Sequence, residues 1–408
     1  MSLNNVTRRL QLPQEIIDNI VDVHKGSIRD LKSCSLIGRA WLSRSRKHLF
    51  QSLRLKGNYN PNVIGEAIGI LGSVLPLVHD LSIIDSSESS KLQLTYVMLI
   101  SIGQSFSKLD RLALKGVTVD ETEKGSDADI ALTTPSSLSN LTLVGVTFLD
   151  SRAMHRFLHN PLFSRIRFIS VDAISFTGND RPSFQQSAKR TKLEEFNLGN
   201  VRSAVLRALW SPSSPLDFYT NMKRISIFTN TPGDSADVSL ENAEMWGSVT
   251  HLSFSGWRSN TTLFPPHLTH LTMTYKYLTR QGPDSRLSHL ATTSPKIQYL
   301  VLVFYWPHRT DSDKLNSIMS DFDEDLATVS KSFPDLIEIR VRFVLKSEHS
   351  GGFGLTERLK AMFLKADEAI LLKKEQDPEC GTLLAIEVRE IGDAEYRGDL
   401  RIGFGFEY

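Results

Sequence analysis

The chain has 408 residues, and its 47 Lys and Arg against 46 Asp and Glu leave a formal net charge of +1. So even a balance gives no long-range attraction for nucleic acid or an acidic membrane surface, and a content of 40% hydrophobic and 23% charged residues is ordinary for a soluble folded chain. Two cysteines, Cys34 and Cys380, exclude a disulfide framework and suit a reducing compartment. The opening MSLNNVTRRLQLP lacks the apolar run of a signal peptide, and no stretch is long and apolar enough to span a membrane. The expected location is therefore cytoplasmic or nuclear, with neither nucleic acid nor membrane as partner.

Residues 10–50 predict three short helices. The first opens at Leu12-Pro13, with Pro at a first-turn position where its missing N–H costs nothing and Glu15 near the positive end of the helix dipole. Its apolar residues form two adjacent stripes, Leu12, Ile16 and Ile20 beside Ile17 and Val21. Ser27, followed three residues later by Asp30, marks a capped start for a second helix carrying Ile28, Leu31, Cys34 and Leu36. A third runs from about Arg39 through Trp41, Leu42 and Leu49 to Phe50. A unit of about 40 residues buries too little surface to stand comfortably alone. Its surplus of apolar positions predicts a partner.

From Phe50 onward one apolar spacing recurs twelve times, an apolar residue followed three positions later by a second and two positions after that by a third. The copies are Phe50/Leu53/Leu55, Val78/Leu81/Ile83, Leu109/Leu112/Leu114, Leu138/Leu141/Leu143, Ile166/Ile169/Val171, Leu193/Phe196/Leu198, Met222/Ile225/Ile227, Val249/Leu252/Phe254, Leu268/Leu271/Met273, Ile297/Leu300/Leu302, Leu336/Ile339/Val341 and Leu383/Ile386/Val388. Most lie roughly 27 to 31 residues apart, room for one strand and one helix, the period of leucine-rich repeats. No such unit buries its own apolar face, so the units must stack into an α/β solenoid, a horseshoe over residues 51–408, with the triplet strands in one parallel sheet. The Leu268 copy is the weakest, because only about 19 residues precede it, too few for a helix on the connection. Helical segments are expected at 63–74, 92–106, 152–163, 203–210 and 314–333. A longer terminal cap helix is expected through Leu355, Leu359, Met362, Phe363, Ala366 and Ile370. Regular repeats place Asn or Cys three residues past the last strand apolar, whereas here stand Val117, Val146, Ile174 and Val201, so the repeats are degenerate. The acidic stretches Asp85–Ser90 and Asp120–Asp129 read as solvated loops.

Leu12-Pro13, Glu15-Ile16-Ile17, Ile20, Leu31, Cys34, Leu36-Ile37, Arg39, Trp41 and Leu49-Phe50 resemble the F-box, in the form common among fungal F-box proteins with degenerate leucine-rich repeats. The resemblance covers about a tenth of the chain directly, and the repeats follow in the order that family uses. It implies a non-catalytic substrate receptor of an SCF-type cullin-RING ubiquitin ligase, whose F-box docks a Skp-type adaptor while the repeats hold a protein substrate. Leu12, Pro13, Ile16 and Ile20 match the adaptor-contacting first helix, and Leu36, Ile37 and Trp41 match the second and third. Gly38 departs from the pattern and predicts a looser junction between the last two helices. From the residues alone a helical cap on the solenoid stands as the alternative, and for the whole chain an interaction scaffold unconnected with ubiquitination.

Within each strand the triplet points into the stack and the intervening residues point to the concave face. Exposed aromatics beside arginines are the composition of binding hot spots. Phe168, Arg224, Phe228, Tyr299 and Arg340 are accordingly the expected substrate-binding residues, with Trp257, Tyr305 and Trp306 as a second edge. No cofactor is called for. Gly351-Gly352-Phe353-Gly354 lacks the Lys and spacing of a phosphate loop, and no nucleophile elbow, His-Glu-x-x-His or Cys-x-x-Cys occurs. His251 and His270 hold equivalent positions in consecutive repeats, with only Ser and Thr around them; two ligands fall short of an ordinary metal centre, and surface or partner contact is expected. Arg39, Arg44, Arg46 and Lys47 read as a solvated helix face.

Overall fold

The computed structural model describes residues 12–57, 63–85, 91–120, 137–178, 191–201, 203–211, 214–218, 220–228, 247–255, 264–275, 296–305, 312–346, 363–376 and 382–391. The chain divides into two compact units, one comprising residues 1–139 with 160–164, the other residues 140–159 with 165–408.

The first unit begins with three helices, α1 (Gln14–Val23), α2 (Ile28–Ile37) and α3 (Arg39–Phe50). Pro13 occupies the N-cap of α1, and of the two stripes on that helix only Ile17 and Val21 turn inward. Ser27 caps α2 by accepting the Asp30 N–H at 3.3 Å. Val21, Leu31 and Cys34 form a small core, with Trp41 and Leu49 packed against it. Gly38 joins α2 to α3 in extended backbone at φ 169, with open space where a Cβ would stand. Any residue adopts that conformation, so the loosening expected of this glycine has no steric basis. Asp22 on α1 ties the ends together: it accepts from Arg44 Nε at 2.6 Å and from His48 Nε2 at 2.7 Å, and also from the second Arg44 nitrogen.

Three strands of the repeats follow in this unit, β1 (Ser52–Gly57), β2 (Asp80–Asp85) and, after the short β3 (Gln93–Thr95), β4 (Arg111–Lys115). They pair in parallel, with Leu53 opposite Leu81 and Leu81 opposite Leu112. Helices α4 (Val63–Leu71) and α5 (Tyr96–Ser105) carry the chain between them, and the Thr95 hydroxyl caps α5 by accepting the Met98 N–H. Beyond β4 the chain turns at Gly116 and enters β5 (Thr118–Asp120), which pairs in parallel with β3.

The second unit contains β6 (Asn140–Val144), β8 (Phe168–Asp172), β11 (Glu195–Gly199), β13 (Arg224–Phe228), β14 (His251–Ser255), β15 (His270–Tyr275), β16 (Tyr299–Tyr305), β17 (Glu338–Lys346) and β18 (Leu383–Ile391). Each pairs in parallel with the next, and the middle triplet residues fall opposite one another from Leu141 through Ile169, Phe196, Ile225, Leu252, Leu271 and Leu300 to Ile339. The Leu268 copy therefore holds register despite its short approach. Helices α6 (Ser151–Leu158) and α7 (Ser203–Leu209) lie on two of the connections, and short strands β7 (Thr147–Phe148) and β9 (Ser175–Phe176) pair in parallel, as do β10 (Thr191–Lys192) and β12 (Leu216–Asp217). This is the strand-and-helix order of a leucine-rich-repeat-like α/β arrangement. The twelfth copy is the exception: β18 sets Leu384, not Ile386, opposite Ile339, and Leu383 is 53% exposed. The apolar spacing there runs two residues out of step with the hydrogen bonding.

After four successive repeat strands the backbone turns left-handed at the same place, two residues past the last strand apolar: Gly116 at φ 71, Gly145 at φ 61, Ala173 at φ 51 and Asn200 at φ 44. The next residues, Val117, Val146 and Ile174, are fully buried. That is where an Asn side chain serves the backbone of regular repeats. Here neighbouring backbone does so instead, Thr118 N–H donating to Leu92 O at 2.9 Å and Ser175 N–H to Val146 O at 3.1 Å.

Toward the C-terminus an aromatic core thickens the stack. Tyr275, Phe304 and Phe343 stack across three strands, and Phe322 of the helix Ser312–Ser332 meets Phe304 edge-on at 5.1 Å. Asp323 on that helix is buried and accepts the N–H groups of Lys365 and Ala366, at 2.9 and 2.8 Å, at the start of the helix Leu364–Gln376. A carboxylate borrowed from another element thus caps the last helix. Of the expected cap helix, Phe363, Ala366 and Ile370 are buried here, whereas Leu355, Leu359 and Met362 lie outside the described residues, as do Cys380, the Gly351–Gly354 run, 121–129 and 86–90.

Candidate functional site

The small core under the N-terminal helices leaves an outer apolar surface. Leu12, Ile16 and Ile20 are 52%, 45% and 36% exposed, Leu36 and Ile37 are 86% and 61%, and Pro13 is exposed beside them. Trp41 differs: it is half-buried against Val21, Leu31 and Cys34, where it supports the helices from below. Sequence reading missed Val23 and Ile28, which are likewise exposed. Val23 belongs to neither stripe of the first helix and Ile28 counts only as an apolar position of the second, and only the smallness of the core shows that it stops short of them. Among the basic residues of α3, Arg44 is not a solvated charge. It clamps Asp22, and that hydrogen bond, with a second from His48, holds the Asp22 carboxyl well below the usual carboxylate range.

Parallel pairing places one residue from each of seven strands, β8, β11 and β13 to β17, in a single transverse row: Phe168, Glu195, Arg224, His251, His270, Tyr299 and Glu338. Three expected substrate-binding residues, Phe168, Arg224 and Tyr299, belong to this row and are half-buried. The Arg167 guanidinium lies 5.8 Å from the centre of the Phe168 ring and is itself held by Glu194 at 2.8 and 2.6 Å. Arg224 stands 3.8 Å from Glu195. At the centre of the row three rings stack, His251 on His270 at 3.9 Å and 13°, and His270 on Tyr299 at 4.5 Å and 18°. Burial, then the neighbouring His270 and Arg224, push His251 down to about 4; His270 is lowered chiefly by burial.

Arg340 lies one row further along, bonded to Glu338 at 2.9 and 2.7 Å and 3.3 Å from Glu387. The Glu338 carboxylate raises its already high pKa. Phe228 departs from expectation, because only 6% of it is exposed. The alternation of buried and open positions fails in β13 and β14, where the last four residues are all buried. In the same way Val303, Tyr305 and Val344 form a second buried cluster. Tyr305 thus offers no exposed edge, and Trp257 and Trp306 lie outside the described residues. Among the described residues no three His, Cys, Asp or Glu side chains come together as a metal-binding group, and no helix is long and apolar enough to cross a membrane.

No protein-family model matches the chain, and no curated protein matches it. Among solved structures it is similar to the leucine-rich repeat-containing protein LegL7 from Legionella pneumophila, with a TM-score of 0.39 and 13% identity over 79% of this chain and 94% of that one. At that score and identity the likeness says nothing of family or activity.

Proposed function

We propose that this chain is the non-catalytic substrate-recognition subunit of an SCF-type cullin-RING ubiquitin ligase, working in the cytoplasm or nucleus. Segment 10–50 acts as an F-box that docks a Skp-type adaptor through Leu12, Pro13, Ile16, Ile20, Leu36 and Ile37, with Trp41 bracing the helices. The repeats of 51–408 hold a protein substrate on the row that includes Phe168, Arg224 and Tyr299, with Arg340 beside it. Phe228, being buried, has no place in that contact. One observation carries the reading: a three-helix segment with only four buried hydrophobic residues, Ile17, Val21, Leu31 and Cys34, displays seven large aliphatic side chains to solvent, which a partner would cover.

Burying an aliphatic side chain is worth about 1.5 to 3 kcal/mol. The double substitution Ile16→Asp with Ile20→Asp is therefore expected to abolish capture of a Skp-type adaptor, while the circular-dichroism spectrum and melting of the chain stay as they were. Adaptor capture that survives the double substitution removes this surface from the docking site. No capture by the unaltered chain removes the ligase reading and leaves an interaction scaffold.

A further inference from the structure

The triplets of β1, β2 and β4 turn inward, and the residues between them share the opposite face of the first unit's sheet. Register lays these in rows: Arg54, Ser82 and Ala113 in one, Lys56, Ile84 and Lys115 in the next. Arg54, Lys56 and Lys115 are exposed, and the three uncharged side chains between them are half-buried. Other cations of the repeat strands are already held: Arg111 lies 3.7 Å from Asp80 and 3.9 Å from Asp110, Arg224 lies 3.8 Å from Glu195, and Arg342 lies 2.9 Å from Glu387. Among the described residues no carboxylate holds the side chain of Arg54, Lys56 or Lys115. Asp85, which follows Ile84 in β2, is engaged elsewhere, accepting the Leu92 N–H. Three uncompensated positive charges thus frame an uncharged floor.

We infer that this face binds an acidic segment of a partner protein, an extended stretch in which Asp or Glu recurs at alternate positions. Charge complementarity selects the sign of the partner, and the spacing of the cations selects its form. Lys56 and Lys115 stand two strands apart, about 9–10 Å at the usual strand separation, and Arg54 lies two residues from Lys56, about 6.6 Å along the strand. Cations so dispersed do not close around one phosphate, which calls for convergent donors. They match single carboxylates along an extended chain, whose alternate side chains recur at about the same 6.6 Å. Ile84 and Ala113 leave room between the charges for the small side chains of such a segment. Neither row holds an aromatic ring on which a base could stack, so a nucleic-acid strand is the poorer fit. The surface goes beyond the ligase reading and is separate from the row of the second unit.

The test follows the fluorescence anisotropy of a rhodamine-labelled, alternating Glu-Ser dodecapeptide titrated with the full chain at low salt. The anisotropy should rise, added salt should reverse the rise because exposed charges are screened, and a Gln-Ser peptide of the same length should give none. Each of Arg54→Gln, Lys56→Gln and Lys115→Gln should weaken binding about two- to fivefold, and the triple variant about tenfold or more. Arg342→Gln changes the net charge equally but removes a cation that Glu387 already holds, and it should leave binding as it was. In the unaltered chain the bound peptide should slow acetylation of Lys56 and Lys115, read by mass spectrometry, which decides even where a variant fails to fold. Equal binding of the Gln-Ser peptide, equal weakening by Arg342→Gln, full binding by the triple variant, or lysines left unprotected would overturn the surface. Tighter binding of a neutral peptide carrying one phosphoserine, or of a single DNA strand of the same length, would overturn its assignment to an acidic segment. No adaptor is present in the assay, so its failure leaves adaptor capture untouched, and failed adaptor capture leaves this surface standing.

Discussion

Asp22 takes hydrogen bonds from both Arg44 and His48, and its acidity follows from them. A carboxyl whose folded pKa is depressed contributes stability above its unfolded value of about 4 and loses it as pH falls below that value. Arg44→Ala is expected to lower the melting temperature at pH 7 and to flatten its acid dependence below pH 4, measured by circular dichroism. His251 works in a higher window: lowered from 6.5 to about 4, it leaves the folded chain binding fewer protons than the unfolded one in that interval, so stability falls as pH drops through it. Gly116 poses a steric test. At φ 71, a Cβ would come 2.5 Å from the Asp85 carbonyl oxygen, and Gly116→Ala should cost about 1–3 kcal/mol in denaturant unfolding. At this scale sequence reading was uneven. The equivalence of His251 and His270 followed from the triplet spacing, whereas the burial of Phe228 did not, because strict alternation assumes one open face and Ser226 and Phe228 are both covered.

Among the elements, the helix Leu364–Gln376 depends on a residue far from it in sequence. Asp323 is buried with its two oxygens on the N–H groups of Lys365 and Ala366, and removing it strands both donors. Asp323→Ala should destabilise the second unit by about 1–3 kcal/mol and raise hydrogen exchange first at Lys365 and Ala366; unchanged exchange there would show that water replaces the carboxylate. The cap was not legible, since nothing in the spacing links positions 323 and 365. Strand register was legible through eleven triplets because burial on the helix-facing side recurs wherever the backbone pairs. It failed at the twelfth because Leu384, Ile386 and Val388 alternate as apolar residues, so the triplet spacing centres on Ile386 while the ladder seats Leu384 opposite Ile339, two residues earlier. The missing Asn of the turn was readable from Val117, Val146 and Ile174; the short second strands that replace it were not, being only two or three residues long.

At the scale of the whole molecule, the residues proposed to dock an adaptor and those proposed to hold a substrate are carried by different compact units. The Ile16→Asp and Ile20→Asp double variant should accordingly keep any substrate captured by Phe168, Arg224 and Tyr299 while losing the adaptor, scored by paired pull-down. The exposed helices also contain their own chemical clock. Cys34 is a free thiol, buried in the core beneath the aliphatic surface, and an alkylating reagent reaches it only in moments when that core opens. Its labelling rate therefore counts those openings. A partner that closes over Leu12, Ile16 and Ile20 should slow the reaction in proportion to its saturation and leave the double variant's rate untouched, so the occupancy of this surface can be timed at one sulfur atom.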